Sequence, residues 1–390
     1  MNYTNEALIP VTPGMPEEKH LHRTFQGIAS IACIPSGRLF AVWYAGGDTE
    51  CRENYVLLSI SDDEGKTWTP AAVVDPPHPD VRAYDSQMWY SPDGKFRWFW
   101  AQGCGGDSGT WDIQDGAGGV FESIIENPDA AIGEFRFSAP RRISDGVMMN
   151  KPTVFSDGSW VYPVCVWDIA TVEHPDMQLQ PGCRMCISTD MGETLTCRGS
   201  VDFSQMPCGP DETGEHNFAE RQDGSIAVWG RAFTGMAEAV SLDGGVHWSK
   251  PVRPATFTMT NSRMCIRRLP SGKLLQIYND ARGEWPERYT MRTNLTARLS
   301  DDDGRTWYGG LLLDDRELVA YPDADIMPDG SICVIYDRDR QGAGEILFAR
   351  FTEADITAGT IVSPNSCLRW TVDRSGGLTQ DRRQEVPPLN

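Results

Sequence analysis

Counting back nine or ten residues from five of six short turns in this chain reaches Gly27, Asp85, Glu215, Arg263 and Tyr321; near the remaining one, the third in order, stands the Asn150-Lys151 pair. A strand with a purely structural duty wants Val or Ile at such places. Acids and a phenol instead carry protons, and arginine and lysine hold anions. The runs that follow the turns end in a second polar set, at Gln102, Asp168, Arg231, Asp280 and Asp337 with Arg338. Opening on one face, the two sets ring a pocket suited to a polar, hydroxyl-rich ligand.

The elements that must position this ring repeat along the chain. Ser36-Gly37, Asp93-Gly94, Asp157-Gly158, Asp223-Gly224, Ser271-Gly272 and Asp329-Gly330 recur at intervals of 48 to 66 residues, and a run rich in β-branched and aromatic residues follows each. Asp-Gly and Ser-Gly supply the positive φ of a tight hairpin. A second pattern, Ser-x-Asp-x-Gly-x-Thr-Trp, lies out of phase with the first. It reads Ser61-Asp63-Gly65-Thr67-Trp68, Ser188-Asp190-Gly192-Thr194 with Leu195 in the Trp place, Ser241-Asp243-Gly245-His247-Trp248 and Ser300-Asp302-Gly304-Thr306-Trp307. Its Ser and Asp tie their own turn, and its Trp fills the space between neighbouring sheets. Without a periodic helical stretch, these repeats predict an all-β fold, a six-bladed β-propeller of four-stranded antiparallel blades. Residues 1–22 read as an N-terminal segment, 23–369 as a single propeller, and 370–390 as a flexible tail. The run GEILFARF at 344–351 is expected to pair with the N-terminal segment and close the ring.

Composition narrows the partners. With 35 Lys and Arg against 55 Asp and Glu, the net charge is −20, and no basic block offsets it, which argues against nucleic acid and membrane surfaces. The first 25 residues lack the apolar stretch of a signal peptide, so a cytoplasmic location is expected. The 11 cysteines are an odd number and mostly lie in apolar runs, where they read as small buried hydrophobes. Cys183 and Cys186 would alternate across a strand and hold no metal together. No motif calls for a cofactor or metal, although Asp301 to Asp303 would suit a weakly held Ca²⁺.

The boxes and blade spacing resemble the sialidase (neuraminidase) superfamily of BNR-repeat propellers over roughly residues 23–355. That resemblance implies a Tyr nucleophile paired with a Glu, an acidic acid/base residue and three arginines on a sugar carboxylate. Glu215, followed by Glu220, Asp223-Gly224 and Arg231, is similar to the family's Glu and second Arg. Arg292, ahead of a box, is similar to the third Arg, and Tyr321, nine residues before its turn glycine, to the nucleophile. Glu50 lies 18 residues before Trp68, about the family's acid/base distance, with Asp48 and Glu53 as neighbouring alternatives. Where the family opens its first blade with Phe/Tyr-Arg-Ile-Pro, this chain reads Phe25-Gln26-Gly27-Ile28, so the first arginine is absent.

What the resemblance implies for function is an exo-glycoside hydrolase acting on a terminal acidic or hydroxyl-rich sugar by double displacement. Glu215 takes the proton of Tyr321, whose phenolate attacks the anomeric carbon, and Glu50 protonates the leaving oxygen. Arg231, Arg292 and Arg263 hold the carboxylate, and Asp85, His216, Lys151 and Gln26 are expected to line the ligand. Two alternatives stand beside it. One is a propeller lyase acting on uronates through His216, Tyr321, Arg231 and Lys151; the other is a carbohydrate-binding propeller without turnover. The pairing of Glu215 with Tyr321 argues against the second, since a lectin needs neither a nucleophile nor its base.

Overall fold

In this computed structural model the described residues are 7–12, 23–76, 81–104, 119–166, 182–201, 203, 214–232, 235–254, 259–281 and 292–376. They form six antiparallel sheets, the six blades of a β-propeller, in strict chain order. The innermost strands of blades one, two, four, five and six are Gln26–Cys33, Val81–Tyr90, Asn217–Glu220, Cys265–Arg268 and Val319–Ile326. In blade three the inner strand is interrupted, as Val147–Met148 and Thr153–Val154, both paired with Trp160–Val166.

Each hairpin turn closes in the way its sequence dictates. All six turn glycines have φ between 80° and 92°, and each donates its amide to the carbonyl three residues back. The strands that follow are almost wholly buried, as in Leu39–Ala45 and Trp160–Val166, because both faces of a blade are covered by neighbouring blades.

The Ser-Asp-Gly boxes follow the third strands of blades one, three, four and five. In each, the Ser hydroxyl donates to the Asp carboxylate and accepts from the Gly amide at 2.8–2.9 Å. The Asp accepts from the amide four residues on. Three of the four box glycines then press on the blade before them: Gly65 on Phe348, Gly245 on Met185 and Gly304 on Trp229. Blade six uses another device at the same place. There a short helix, Glu353–Ala358, is opened by a Thr352–Asp355 capping box, and the Asp355 carboxylate also accepts from Val362 N, Ser363 N and Ser366 Oγ.

Two expectations are corrected at the ends of the chain. Glu345–Phe351, inside the GEILFARF run, pairs with Ile332–Arg338 and Cys367–Arg374, so it stays within blade six and does not reach the N-terminal segment. The ring closes instead by contacts between blades one and six, with Trp68 edge-on to Phe348 at 5.9 Å, Glu64 paired to Arg350 at 2.8 Å, and backbone bonds from Gln26 N to Arg340 O at 3.2 Å and from Gly376 N to Arg23 O at 3.0 Å. Residues 370–374 belong to the outermost strand of that blade and not to a tail, because the sheet needs a partner for its third strand. Residues 377–390 lie outside the described residues. From the N-terminal segment, Pro10–Val11 adds a fifth strand to blade one by pairing with Thr69–Val74.

Gly65 and Gly37 separate backbone strain from blade packing. Both have φ near 90°, but a methyl on Gly65 overlaps the Phe348 ring, whereas one on Gly37 meets nothing within 4 Å. Gly37→Ala is expected to lose about 1 kcal/mol and Gly65→Ala about 3 kcal/mol of unfolding free energy. Urea denaturation of the two variants checks this, and equal losses would contradict the packing account.

Candidate active site

Inner strands of three blades carry the same irregularity where they begin. Their pairing slips between Gly27 and Ser30, between Tyr84 and Gln87, and between Ala320 and Asp323. The first bulged residue of each has positive φ: Ile28 at 55°, Asp85 at 47° and Tyr321 at 55°. For non-glycine residues that conformation costs on the order of 1–2 kcal/mol each. Bulges of this kind re-aim side chains. Here they set Asp85 and Tyr321 at equivalent places beside the axis.

Arg263 holds the bulges in place. Wholly buried, it donates Nη1 to Met149 O at 2.8 Å and Nη2 to Ala29 O, Tyr321 O and Pro322 O at 2.9, 2.8 and 3.2 Å. It therefore ties blades one, three and six at the axis. Expected as a ligand-binding cation, it is instead a structural tie, since its hydrogen-bonding nitrogens are taken by protein carbonyls. Further along the axis Asp323 accepts from Ser30 Oγ, Ile31 N and Lys151 Nζ at 2.6, 2.9 and 2.9 Å.

At the face where the inner strands begin, Tyr321, Glu215 and Arg231 meet. The Tyr321 hydroxyl donates to Glu215 Oε1 at 2.5 Å, and Arg231 Nη1 donates both to that oxygen at 2.9 Å and to the phenol oxygen at 2.7 Å. Arg231 is itself fixed by Asn261 through Nε. Burial pushes the Tyr321 phenol up, and Glu215 adds to that, against the lowering pull of Arg231, Arg292 and Arg340. The phenol thus rests neutral beside its base. Arg292 accepts from Val319 N through its carbonyl, and its guanidinium lies 4.9 Å from the ring centroid.

The acids divide. Burial alone would raise the Glu50 carboxyl, but Arg340, Arg82, the hydrogen bond from Tyr44 and Arg292 outweigh it and hold it below the usual range. Its contacts are Tyr44 OH at 2.7 Å and Arg340 Nη1 at 3.2 Å. Asp85 moves the other way: burial, with Glu50 and Glu215 nearby, pushes it up to about 7 against Arg82 and Arg263. Separation of two carboxyls in this manner assigns different proton states to each at neutral pH.

Several expected site residues lie elsewhere. Gln26 is buried and bonded to Trp43, Arg23, Gly344 O and Asp373, so it points into the body of the ring. Lys151 is bonded to Ile31 O, Ala324 O and Asp323, in a cavity of about 220 Å³ that also touches Asn150, Asn217 and Arg267, away from Tyr321. His216 is wholly buried, with Nδ1 3.3 Å from Gly214 O and Nε2 3.1 Å from Arg184 O, edge-on to Phe218. Both ring nitrogens thus face protein carbonyls. Arg338 pairs with Glu345. Asp303 pairs with Arg268 and Asp301 with Tyr308, so these acids are spent internally. Asp168 lies outside the described residues.

One cation escaped the sequence reading. Arg340, in the loop after Ile332–Arg338, lies 4.2 Å from the Tyr321 ring centroid and is bound by Asp337 at 3.0 Å and Glu50 at 3.2 Å. The signal was Gly27, a glycine inside the buried inner strand Gln26–Cys33, for a methyl there would stand 2.6 Å from Arg340 Cδ.

A six-bladed ring with a Tyr–Glu–Arg cluster at its axis is a sialidase-like propeller. The chain matches the BNR repeat-like domain over residues 37–334 and belongs to that family. No curated protein matches it. Its fold is similar to that of a Hadza microbial sialidase, at 18% identity and TM-score 0.61, over 81% of this chain and 64% of that one. It is similar, too, to the Trypanosoma rangeli sialidase in complex with sialic acid, at 17% identity and TM-score 0.61, over 86% of this chain and 56% of that one. The intramolecular trans-sialidase of Ruminococcus gnavus, in complex with oseltamivir carboxylate, matches at 13% identity and TM-score 0.57, over 91% of this chain and 98% of that one. This chain therefore spans less than two thirds of the first two. The likeness is one of fold.

Replacing Arg263 by Met leaves four buried carbonyls without their donor, and a loss of at least about 3 kcal/mol in unfolding free energy is expected. Arg263→Lys does not restore it, since one ammonium cannot span carbonyls from three blades. A loss below about 1 kcal/mol for either variant in urea denaturation would contradict the structural role.

Proposed function

We propose that this protein is an exo-acting glycoside hydrolase that releases a terminal sugar by double displacement at Tyr321. The observation that carries the reading is the shared hydrogen bonding of the Tyr321 hydroxyl, Glu215 Oε1 and Arg231 Nη1 within 2.5–2.9 Å. In the first step Glu215 accepts the phenolic proton as Tyr321 Oη bonds to the anomeric carbon and the bond to the leaving oxygen breaks. Arg231 stabilises the phenolate that this creates. A phenol suits a substrate whose own negative charge would repel a carboxylate nucleophile. In the second step water attacks the glycosyl–tyrosine, and the phenolate recovers its proton from Glu215.

The leaving oxygen needs a proton, and the two candidate carboxyls differ in holding one. Glu50, bound to Arg340 and Tyr44, is ionised at neutral pH and orients its cationic neighbour. Asp85, pushed up to about 7, carries a proton and takes the acid role, with the return proton abstraction from water in the second step. Arg231 and Arg292 bring positive charge to the same pocket.

Two outcomes are expected. Tyr321→Phe lowers kcat by at least about a thousandfold on sialosides or uronosides, with KM little changed; mass spectrometry of products identifies a hydrolase by the gain of one water, and turnover within tenfold of wild type overturns the reading. The kcat/KM of the wild type falls as pH rises through about 7, because the acid form of Asp85 is lost there. Asp85→Asn abolishes that limb and slows substrates with poor leaving groups by about 10²–10⁴-fold, while aryl glycosides, which leave unaided, are nearly spared. An unchanged alkaline limb in Asp85→Asn assigns the proton to another group.

A further inference from the structure

Blade three carries two cysteine pairs that the glycosidase reading does not use. Across its strands Cys165 faces Cys183 and Cys186 faces Cys197 as Cα partners. Alternation along Gly182–Ser188 puts Cys183 and Cys186 on opposite sides of the blade. Cys165 and Cys183 join the apolar cluster that contains Phe218, and Cys186 the one that contains Trp89 and Phe99 of blade two, with Cys197 packed against it. We propose that Cys197 and Cys186 form a hydroperoxide-reactive dithiol, in which Cys197 is oxidised first and Cys186 then closes a cross-strand disulfide with it.

Reach, charge and access carry this. Facing Cα atoms of an antiparallel ladder stand about 4.5–5.5 Å apart, inside the span of about 4.4–6.8 Å that a disulfide bridges. The two side chains already meet, for the Cys186 thiol donates a hydrogen bond to the Cys197 sulfur. Arg184, two residues before Cys186 on the same face, hydrogen-bonds that sulfur too. Those contacts, the Cys186 bond foremost, hold Cys197 below the usual thiol range against the opposing effect of burial, while the same bond and burial push Cys186 well above it. As a donor Cys197 would find Gly199 O at 3.8 Å, a long contact. Asp145, which adds to the rise of Cys186, is itself paired with Arg142 at 2.7 Å. Cys197 lies half-buried on the outermost strand, Thr196–Val201, and Cys186 is buried behind it. The other half-buried cysteines among the described residues, Cys51 and Cys367, move the opposite way, burial pushing Cys367 up to about 11. The Cys165–Cys183 pair shares the register and a hydrogen bond, but both residues are buried, and burial pushes Cys165 well above the usual thiol value. It is the built-in control.

The chemistry balances in two steps. Cys197 thiolate attacks the terminal oxygen of a hydroperoxide: the S–O bond forms, the O–O bond breaks, two electrons leave sulfur, and the released alkoxide takes a proton from solvent. Cys186 sulfur then attacks that of the sulfenic acid. The S–S bond forms, the S–O bond breaks, and hydroxide departs with the Cys186 proton as water. Prompt closure shields Cys197 from irreversible oxidation.

Trypsin cuts after Arg184 and Arg198, so both sulfurs fall on one peptide, 185–198. Reduced protein is treated with hydrogen peroxide, blocked with N-ethylmaleimide, digested and mapped by mass spectrometry. Expected is a peptide 185–198 lighter by two hydrogens that takes no maleimide, and that takes two once dithiothreitol has acted. Cys186→Ser stops at the sulfenic acid, which dimedone captures on Cys197, and Cys197→Ser leaves Cys186 a thiol. At pH 7 iodoacetamide alkylates Cys197 at least about tenfold faster than Cys51 or Cys367, and Arg184→Met slows it by about three- to tenfold. Urea unfolding shows which variants are folded; where none is, the wild-type map and alkylation rates decide alone. Two maleimides on 185–198 at peroxide levels that oxidise methionine overturn the proposal. So do a bond between Cys165 and Cys183 in its place, a Cys197 sulfenic acid that never closes in wild type, or alkylation of Cys197 no faster than of Cys51. None of these readouts passes through the glycosidase reading.

Discussion

One buried guanidinium, that of Arg263, sets the geometry on which the rest of the pocket depends. A propeller leaves the inner strands of its blades facing one another across an axis, with carbonyls that no neighbouring strand satisfies. Arg263 gathers four of them from blades one, three and six. Two of the four belong to Tyr321 and Pro322, at the bulge that turns Tyr321 out of the ladder. The strained φ of Tyr321 is therefore held from beneath by a cation whose own charge is offset by Asp323 within electrostatic reach. Buried charge of this kind is costly alone and stable when every partner is in place.

From that fixed point the chemistry follows by proximity. The bulge delivers the Tyr321 hydroxyl of blade six to Glu215, just ahead of the inner strand of blade four, while Arg231 arrives from the end of the next strand of that blade, Ile226–Ala232. Burial keeps the phenol protonated and the surrounding arginines limit how far it is raised. The balance suits a group that must be neutral at rest and anionic in the transition state. On the opposite face the Ser-Asp-Gly boxes do a different task. Their glycines and tryptophans lock blades one, four and five to the blade before each, which holds the ring that carries the inner strands.

Sequence reasoning went far with features that are local and repeated. The six turn glycines and the four boxes prescribe the hairpins and seams, because each acts through hydrogen bonds within four residues. Glu215, Arg231 and Tyr321 were legible because each stands at a fixed offset from such a turn. Arg263 stood at the same offset and was misread, since a cation on an inner strand serves a ligand or the backbone equally well; the carbonyls it binds are 58 to 234 residues away. His216, Lys151 and Gln26 failed for the same reason, all three being satisfied by long-range contacts. Arg340 was hidden because it lies in a loop outside both repeats. Only the missing side chain at Gly27 pointed to it.

The account's central claim is that the Tyr321 oxygen forms a bond to sugar carbon. Incubation with a fluorinated acidic glycoside, which forms the glycosyl-enzyme quickly and loses it slowly, followed by quenching and peptide mapping by mass spectrometry, tests this directly. A mass increase of one glycosyl unit on the peptide bearing Tyr321, located to that residue by fragmentation, is the expected result. An adduct on Glu215, Asp85 or Glu50, or none at all while the protein turns over glycosides, would contradict it.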